Sequence, residues 1–337
     1  MRPDATRLKA IQMLVFCTAF WGLSFPTTKA LAIAQQKLLP DANTWFIASL
    51  CIVYRFAAAA LIMLLLSVRT LRMVTREELR QGIGLGIFGG GGILLQVDGL
   101  AYTSASTSAF LTQCYCVIIP IWVAWRQRGW PTRVVLLSCA LVVAGVAVLA
   151  NVEWRHFRLG RGEVETIAAS ILFTGQILWL ERPRYARNNV KHFSLVMFLV
   201  MSLVSLPVAV LTAQQPLDWL RAYESQAALG FLGILVVFCT CGGYLLMNHW
   251  QRLVTATEAG LIYCVEPVFA SLFAWFTPAW FSAWAAIDYP NETLTLSLLI
   301  GGGLITAANI IIQMPARSPA PQLSGTVTSL NRDSVEP

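Results

Sequence analysis

The sequence predicts an all-α integral membrane protein with ten transmembrane helices arranged as two inverted-topology five-helix repeats. Three observations predict it. Hydrophobic residues make up 57% of the 337 residues and charged residues only 12%, against roughly 45–50% apolar and about 25% charged in soluble domains. The apolar residues are gathered into runs near the ~20 residues that a helix needs to cross a bilayer. The two halves of the chain also resemble each other.

Windows of bilayer length place helices at 11–33, 45–67, 82–101, 104–125 and 134–150, and again at 164–180, 194–212, 226–247, 257–277 and 294–313. The first follows Arg2, Arg7 and Lys9, and Ala30-Leu31-Ala32 mimics a signal cleavage site. Its apolar stretch is longer than the ~7–15 residues of a signal core, and it holds Trp21, Pro26 and Lys29, so it reads as a retained span. The sixth is short and carries Thr174 and Gln176, with Glu181 just beyond. This gives a cytoplasmic N-terminus at 1–10, a first repeat at 11–150, a connecting loop at 151–163 and a second repeat at 164–313. Residues 314–337, rich in Pro, Ser and Thr, read as a disordered cytoplasmic tail.

Ten spans leave both termini on one side, and the basic residues choose it. With the termini cytoplasmic, 17 of the 24 Lys and Arg residues lie inside and five outside, three of these in the 151–162 loop. The bias obeys the positive-inside rule and points to a multi-pass protein of a bacterial inner (plasma) membrane. The net charge of +7 is spread over short loops and not along one face, which argues against nucleic acid as a partner. All eight cysteines lie in apolar stretches, and Cys114/Cys116 and Cys239/Cys241 are spaced i,i+2 without a C-x-x-C motif. They read as small packing residues. So do the glycines at 82, 84, 86, 89–92 and 301–303, which lack the lysine of a phosphate loop.

The repeat is visible in residue class. Segment 98–126 resembles 249–277 at an offset of 151, with Ser104-Ala105-Ser106 over Thr255-Ala256-Thr257 and Tyr115 over Glu266. The next helices align at an offset of 163, with Ser138 over Gly301 and Gly145 over Ala308. The difference reads as a longer, Trp-rich loop at about 278–291 (Trp280, Trp284). An odd number of spans per half inverts the second half, a common plan of secondary transporters.

The stretches WGLSFPTTKALA (21–32), AYTSASTSAFLTQCYCVIIPIWVA (101–124) and TATEAGLIYCVEPVFASLFAW (255–275) resemble the EamA-type family of the drug/metabolite transporter superfamily. NETLTLSLLIGGGLITAAN (291–309) is similar to the start of that family's tenth helix, with Asn291-Glu292 where Gly-Glu is usual. In the first half the matching place holds Arg128-Gly129. The resemblance covers roughly residues 10–313. It implies a central cavity opening to alternate sides and the export or exchange of metabolites or drugs.

Ionisable residues within spans usually face a cavity or a partner. Glu266 lies about ten residues into its helix, about 15 Å deep, next to Pro267. Thr255, Ala259, Tyr263 and Glu266 share one helical face, and Ser104, Ser108, Thr112 and Tyr115 form the matching stripe. Glu266, Tyr263, Tyr115, Thr112, Ser108, Gln96, Asp98 and Trp21 are the candidates for a substrate pathway. A purely structural Glu266, bonded to a neighbouring helix, is the competing reading. Arg55, also near mid-depth, is expected to form an ion pair with Glu266 or Asp98. Lys29 is expected to snorkel.

These readings favour a secondary transporter of small metabolites or drugs, with substrate and lipid bilayer as partners and no cofactor. A membrane-embedded enzyme would need a nucleophile–base pair or a metal site. His156, His192 and His249 lie far apart, and no H-E-x-x-H or G-x-S-x-G occurs. A non-transporting sensor or partner protein is the third class, for which the short loops leave little room. No feature of the sequence selects a substrate, a direction, a coupling ion or an oligomeric state.

Overall fold

The computed structural model describes residues 3–126, 128, 130, 132–149, 159–254 and 256–313. Within them every regular element is helical. The first half holds α1 (Pro3–Leu38), α2 (Thr44–Ser67), α3 (Arg76–Gly99), α4 (Ala105–Thr112), α5 (Tyr115–Arg126) and α6 (Arg133–Leu149). The second holds α7 (Arg161–Leu180), α8 (Val190–Thr212), the single turn α9 (Asp218–Arg221) and α10 (Gln226–Ile234). It ends with α11 (Gly243–Trp250), α12 (Ala256–Tyr263), α13 (Glu266–Ala285) and α14 (Leu296–Gln313). A π-helical stretch, Leu235–Gly242, joins α10 to α11.

Seven helical stretches among the described residues are long and apolar enough to cross a membrane: Thr6–Leu38, Thr44–Ser67, Arg76–Gly99, Ala105–Arg126, Val190–Thr212, Gln226–Leu253 and Glu266–Ala285. Arg133–Gly145 and Leu296–Ala308 are shorter apolar helices. Their outward faces carry large apolar side chains, with Leu65 66% and Leu211 84% exposed. Water would not tolerate such a continuous belt; lipid does.

One end of the bundle, where α1 begins, is knitted by polar loops. Thr75 and Glu78 form a capping box at the start of α3. The Glu78 carboxylate also accepts the Asn189 backbone N–H at 2.8 Å and meets His192 Nδ1 at 3.0 Å, while His192 Nε2 lies 3.0 Å from Thr70 Oγ1. The α2–α3 and α7–α8 turns are therefore tied together. Arg252, which follows α11, donates to Asn188 O at 3.0 Å in the same layer.

Between the ends, glycines let helices approach. A Cβ on Gly82 or Gly86 would stand 2.5 Å from the Cβ of Val196 or Val200 on α8. The α6–α14 pair meets reciprocally. Ser138 Oγ donates to Ala308 O at 3.1 Å, and a Cβ on Gly145 would stand 2.8 Å from Gly301 O.

The expected loop at 278–291 is largely helix. α13 runs on through Pro278 to Ala285, so Trp280 and Trp284 are helical residues, and Trp284 packs edge-on against Phe231 at 4.9 Å. Proline cannot donate to the carbonyl four residues back. The carbonyl this leaves free, Ala274 O, accepts the Glu292 N–H at 2.9 Å, and Asn291 Oδ1 accepts the Ala279 N–H at 2.8 Å. The chain past α13 is thus plugged into the gap that Pro278 opens. Thr255, Gly129, His156, the rest of the 151–158 segment and the expected 314–337 tail lie outside the described residues.

Candidate functional site

Two helices break at mid-course. α4 gives way to α5 across Gln113–Cys114, and α12 to α13 across Cys264–Val265. At each break the backbone tightens to three-residue bonds: Cys114 N–H to Leu111 O and Val265 N–H to Ile262 O, both 3.1 Å. Local causes differ. Thr112 Oγ1 bonds back to Ser108 O at 2.8 Å, a competition that bends helices. On the other side Pro267 supplies the first-turn proline of α13. Tyr115 and Glu266 each begin the second half-helix.

These breaks face a cavity of about 740 Å³ when the open solvent at its mouth is counted. Trp21, Gln96, Thr112, Tyr115, Tyr263 and Glu266 all line it, so six of the eight pathway candidates come together. Gln96 Nε2 donates to Thr112 Oγ1 at 2.8 Å. The Trp21 ring lies 5.6 Å from Tyr244 and 5.5 Å from Tyr263. Glu266, 6% exposed, accepts from Gln113 Nε2 at 3.3 Å.

The model of the EamA-like transporter family matches residues 8–151 and again residues 165–314. The chain belongs to the EamA-like transporter family. It is a multi-pass membrane transporter, whose two halves each match the same family model. An uncharacterized transporter of Archaeoglobus fulgidus is 25% identical over 313 residues, 91% of this chain and 87% of that relative. A protein solved by crystallography shares the fold with a TM-score of 0.52 at 15% identity, over 88% of this chain and 95% of its own.

Within this EamA-like transporter two pathway candidates lie elsewhere. Asp98 is fully buried and forms an ion pair with Arg161. Its partner is Arg161 and not Arg55. Ser108 turns away from the cavity, with its hydroxyl 3.3 Å from Thr166 Oγ1 on α7. The expected ion pair of Arg55 is also corrected. Its Nε donates to Thr240 Oγ1 at 2.6 Å and its Nη1 to Ser24 Oγ at 3.1 Å, while both proposed acids have other partners. Lys29 Nζ donates to Thr103 O, in the loop between α3 and α4, at 2.6 Å.

Among the cavity contributors that escaped the sequence reading are Ser24, Gln176 and Tyr244 in the wall, and Gln113 behind Glu266. Their signal was a lone polar group inside an apolar run. Thr240, on the π stretch, is another of the same kind. Fixed by an extra residue per turn, a placement common at functional sites, it reaches Arg55.

The cavity has unequal ends. Away from the α1 start it shares Thr28, Val97 and Leu100 with a second cavity of about 760 Å³ that reaches Lys29, Gln36 and Thr44. Toward the α1 start, Tyr263 OH donates to Gln251 Oε1 at 2.7 Å, and Gln251 Nε2 lies 3.5 Å from Glu181 Oε1.

Proposed function

We infer that this chain is a secondary transporter that exports or exchanges small metabolites or drugs by alternating access. In this reading ten helices cross a bacterial inner membrane as two inverted five-helix repeats, with both termini cytoplasmic. The observation that carries it is the pair of helix breaks at 113–114 and 264–265, equivalent at an offset of 151, meeting around one cavity. Broken helices are tolerated in a bilayer where they line a cavity, and inverted repeats put such breaks at the substrate site. The reciprocal α6–α14 contacts support the inversion. Ser138 meets Ala308, the counterpart of Gly145, and Gly145 meets Gly301, the counterpart of Ser138. A two-fold relation has this signature.

The conformation then reads as outward-facing: the cavity widens toward Lys29 and Gln36 and is latched behind Tyr263 by Gln251 and Glu181. Glu266 is the residue that carries a coupling proton or holds a cationic group of the substrate. The test is efflux from proteoliposomes loaded with a metabolite extract. Particular compounds should leave faster than from protein-free vesicles, and Glu266→Gln should slow them at least tenfold. Loss of every compound at the protein-free rate would overturn transport, and full activity in Glu266→Gln and Glu266→Ala would remove Glu266 from the mechanism.

A further inference from the structure

Arg55 on α2 is 1% exposed and lines the central cavity. A guanidinium carries five N–H donors and no acceptor. Two are used, toward Thr240 and Ser24, and the Phe56 ring lies 5.3 Å from its carbon. Nη2 donates to nothing among the described residues, and the side chain lines the cavity. No described carboxylate lies within ion-pair distance of Arg55. Glu266 is held by Gln113, Asp98 by Arg161 and Glu181 by Gln251.

A cation buried at mid-depth without a counter-charge is strongly disfavoured. Two hydroxyls and a ring edge do not neutralise it. The same cavity wall holds Tyr115 and Glu266, the first residues of α5 and α13. Helix N-termini add partial positive charge there. Apolar side chains, among them Phe25, Ile93, Val97 and Phe173, share the wall with neutral polar ones such as Gln96, Thr112 and Gln176.

Resting on the cavity reading above, we propose that Arg55 is an anion site whose free Nη2 face binds the carboxylate of a monoanionic organic acid. The aromatic or aliphatic body of that acid lies against Trp21, Phe25 and Phe173. A single free guanidinium face beside Glu266 suits one negative charge and not a phosphate ester. Ser24 and Thr240 act as positioning residues that hold the fork.

The test uses the full-length protein in detergent micelles, without a gradient, so binding is scored apart from transport. The probes are matched acid, amide and amine triads built on phenylpropyl, indolylpropyl and isohexyl bodies, read by tryptophan fluorescence and thermal shift. At least one acid should bind ten times more tightly than its amide and its amine. Arg55→Gln should bring acid and amide within twofold of each other, and Arg55→Lys should keep part of the preference. Should Arg55→Gln fail to fold, the wild-type triads decide alone. No acid preferred over its amide anywhere in the panel, or a preference that survives in Arg55→Gln, overturns the proposal. Acid preference without flux in proteoliposomes would leave the anion site standing and sink the transport reading; flux with no acid preference would do the reverse.

Discussion

At the residue scale, the charged groups inside this bundle are distinguished by what answers them. Asp98 sits at the C-terminal end of α3, where helix carbonyls already disfavour negative charge. Arg161 neutralises it from α7 while lying over the Tyr102 ring at 4.3 Å. Arg161 is itself 41% exposed on its side chain and Asp98 wholly buried, so the two halves of the pair are not equivalent. Removing Arg161 strands a buried carboxylate, whereas removing the charge of Asp98 leaves an arginine that can reach solvent. Arg161→Met should therefore cost about 2–4 kcal/mol and Asp98→Asn clearly less, with the double variant closer to Asp98→Asn. Thermal unfolding of the four proteins in one detergent measures this, and equal losses from the two single variants would contradict it.

At the element scale, the instructive feature is the α13–α14 connection. A proline inside a helix usually reads as a terminus, and Pro278 would end α13 at Thr277. The helix instead continues, because Glu292 N–H and the Asn291 side chain complete the hydrogen bonds around the break. Glu292 then reaches the first half: its carboxylate accepts the Ala105 and Ser106 N–H groups at 2.7 and 3.2 Å, capping α4. A carboxylate at a helix N-terminus stabilises by about 0.5–2 kcal/mol. Pro278→Ala restores an N–H that competes for Ala274 O. Its expected effect is faster hydrogen exchange at Glu292, Ala105 and Ser106, with the α3–α8 glycine contact unchanged. Unaltered protection at those three amides would show that the strap does not depend on the proline.

At the scale of the whole molecule, the two ends of the cavity differ, one continuing into the second cavity and the other latched, and the latched end should respond to pH. Glu181 follows α7 at the end where α1 begins, and burial pushes its carboxyl up to about 7 from an ordinary value near 4.5, with the Gln251 hydrogen bond opposing the rise in part. A carboxyl raised in the folded state stabilises fully below its unfolded value and loses that contribution as pH rises to its folded value. The Tyr263–Gln251–Glu181 latch should thus weaken between about pH 4.5 and pH 7 and then level off. Protection factors at Gln251 and Arg252, corrected for the intrinsic pH dependence of amide exchange, should be several-fold lower at pH 8 than at pH 5, and Glu181→Gln should flatten the difference. A pH step that persists in Glu181→Gln would assign it to another group.

What the sequence by itself determined was what chemistry in a bilayer dictates locally. Runs of apolar residues read as spanning helices, the residue-class repeat set Tyr115 over Glu266, and the glycines at 82 and 86 read as close contacts. Four cavity residues, Thr112, Tyr115, Tyr263 and Glu266, followed from the helical spacing. Only the tertiary structure decided who answers whom. Depth along a helix does not give azimuth, so Asp98 and Ser108 share the right level with the cavity and yet face α7. Nor does depth reveal a partner, so Arg55 meets Thr240 and Ser24 where an acid was expected. The extent of α13 was beyond local reading for the same reason. The groups that satisfy its backbone past Pro278 lie more than ten residues away, and folding alone brings them there.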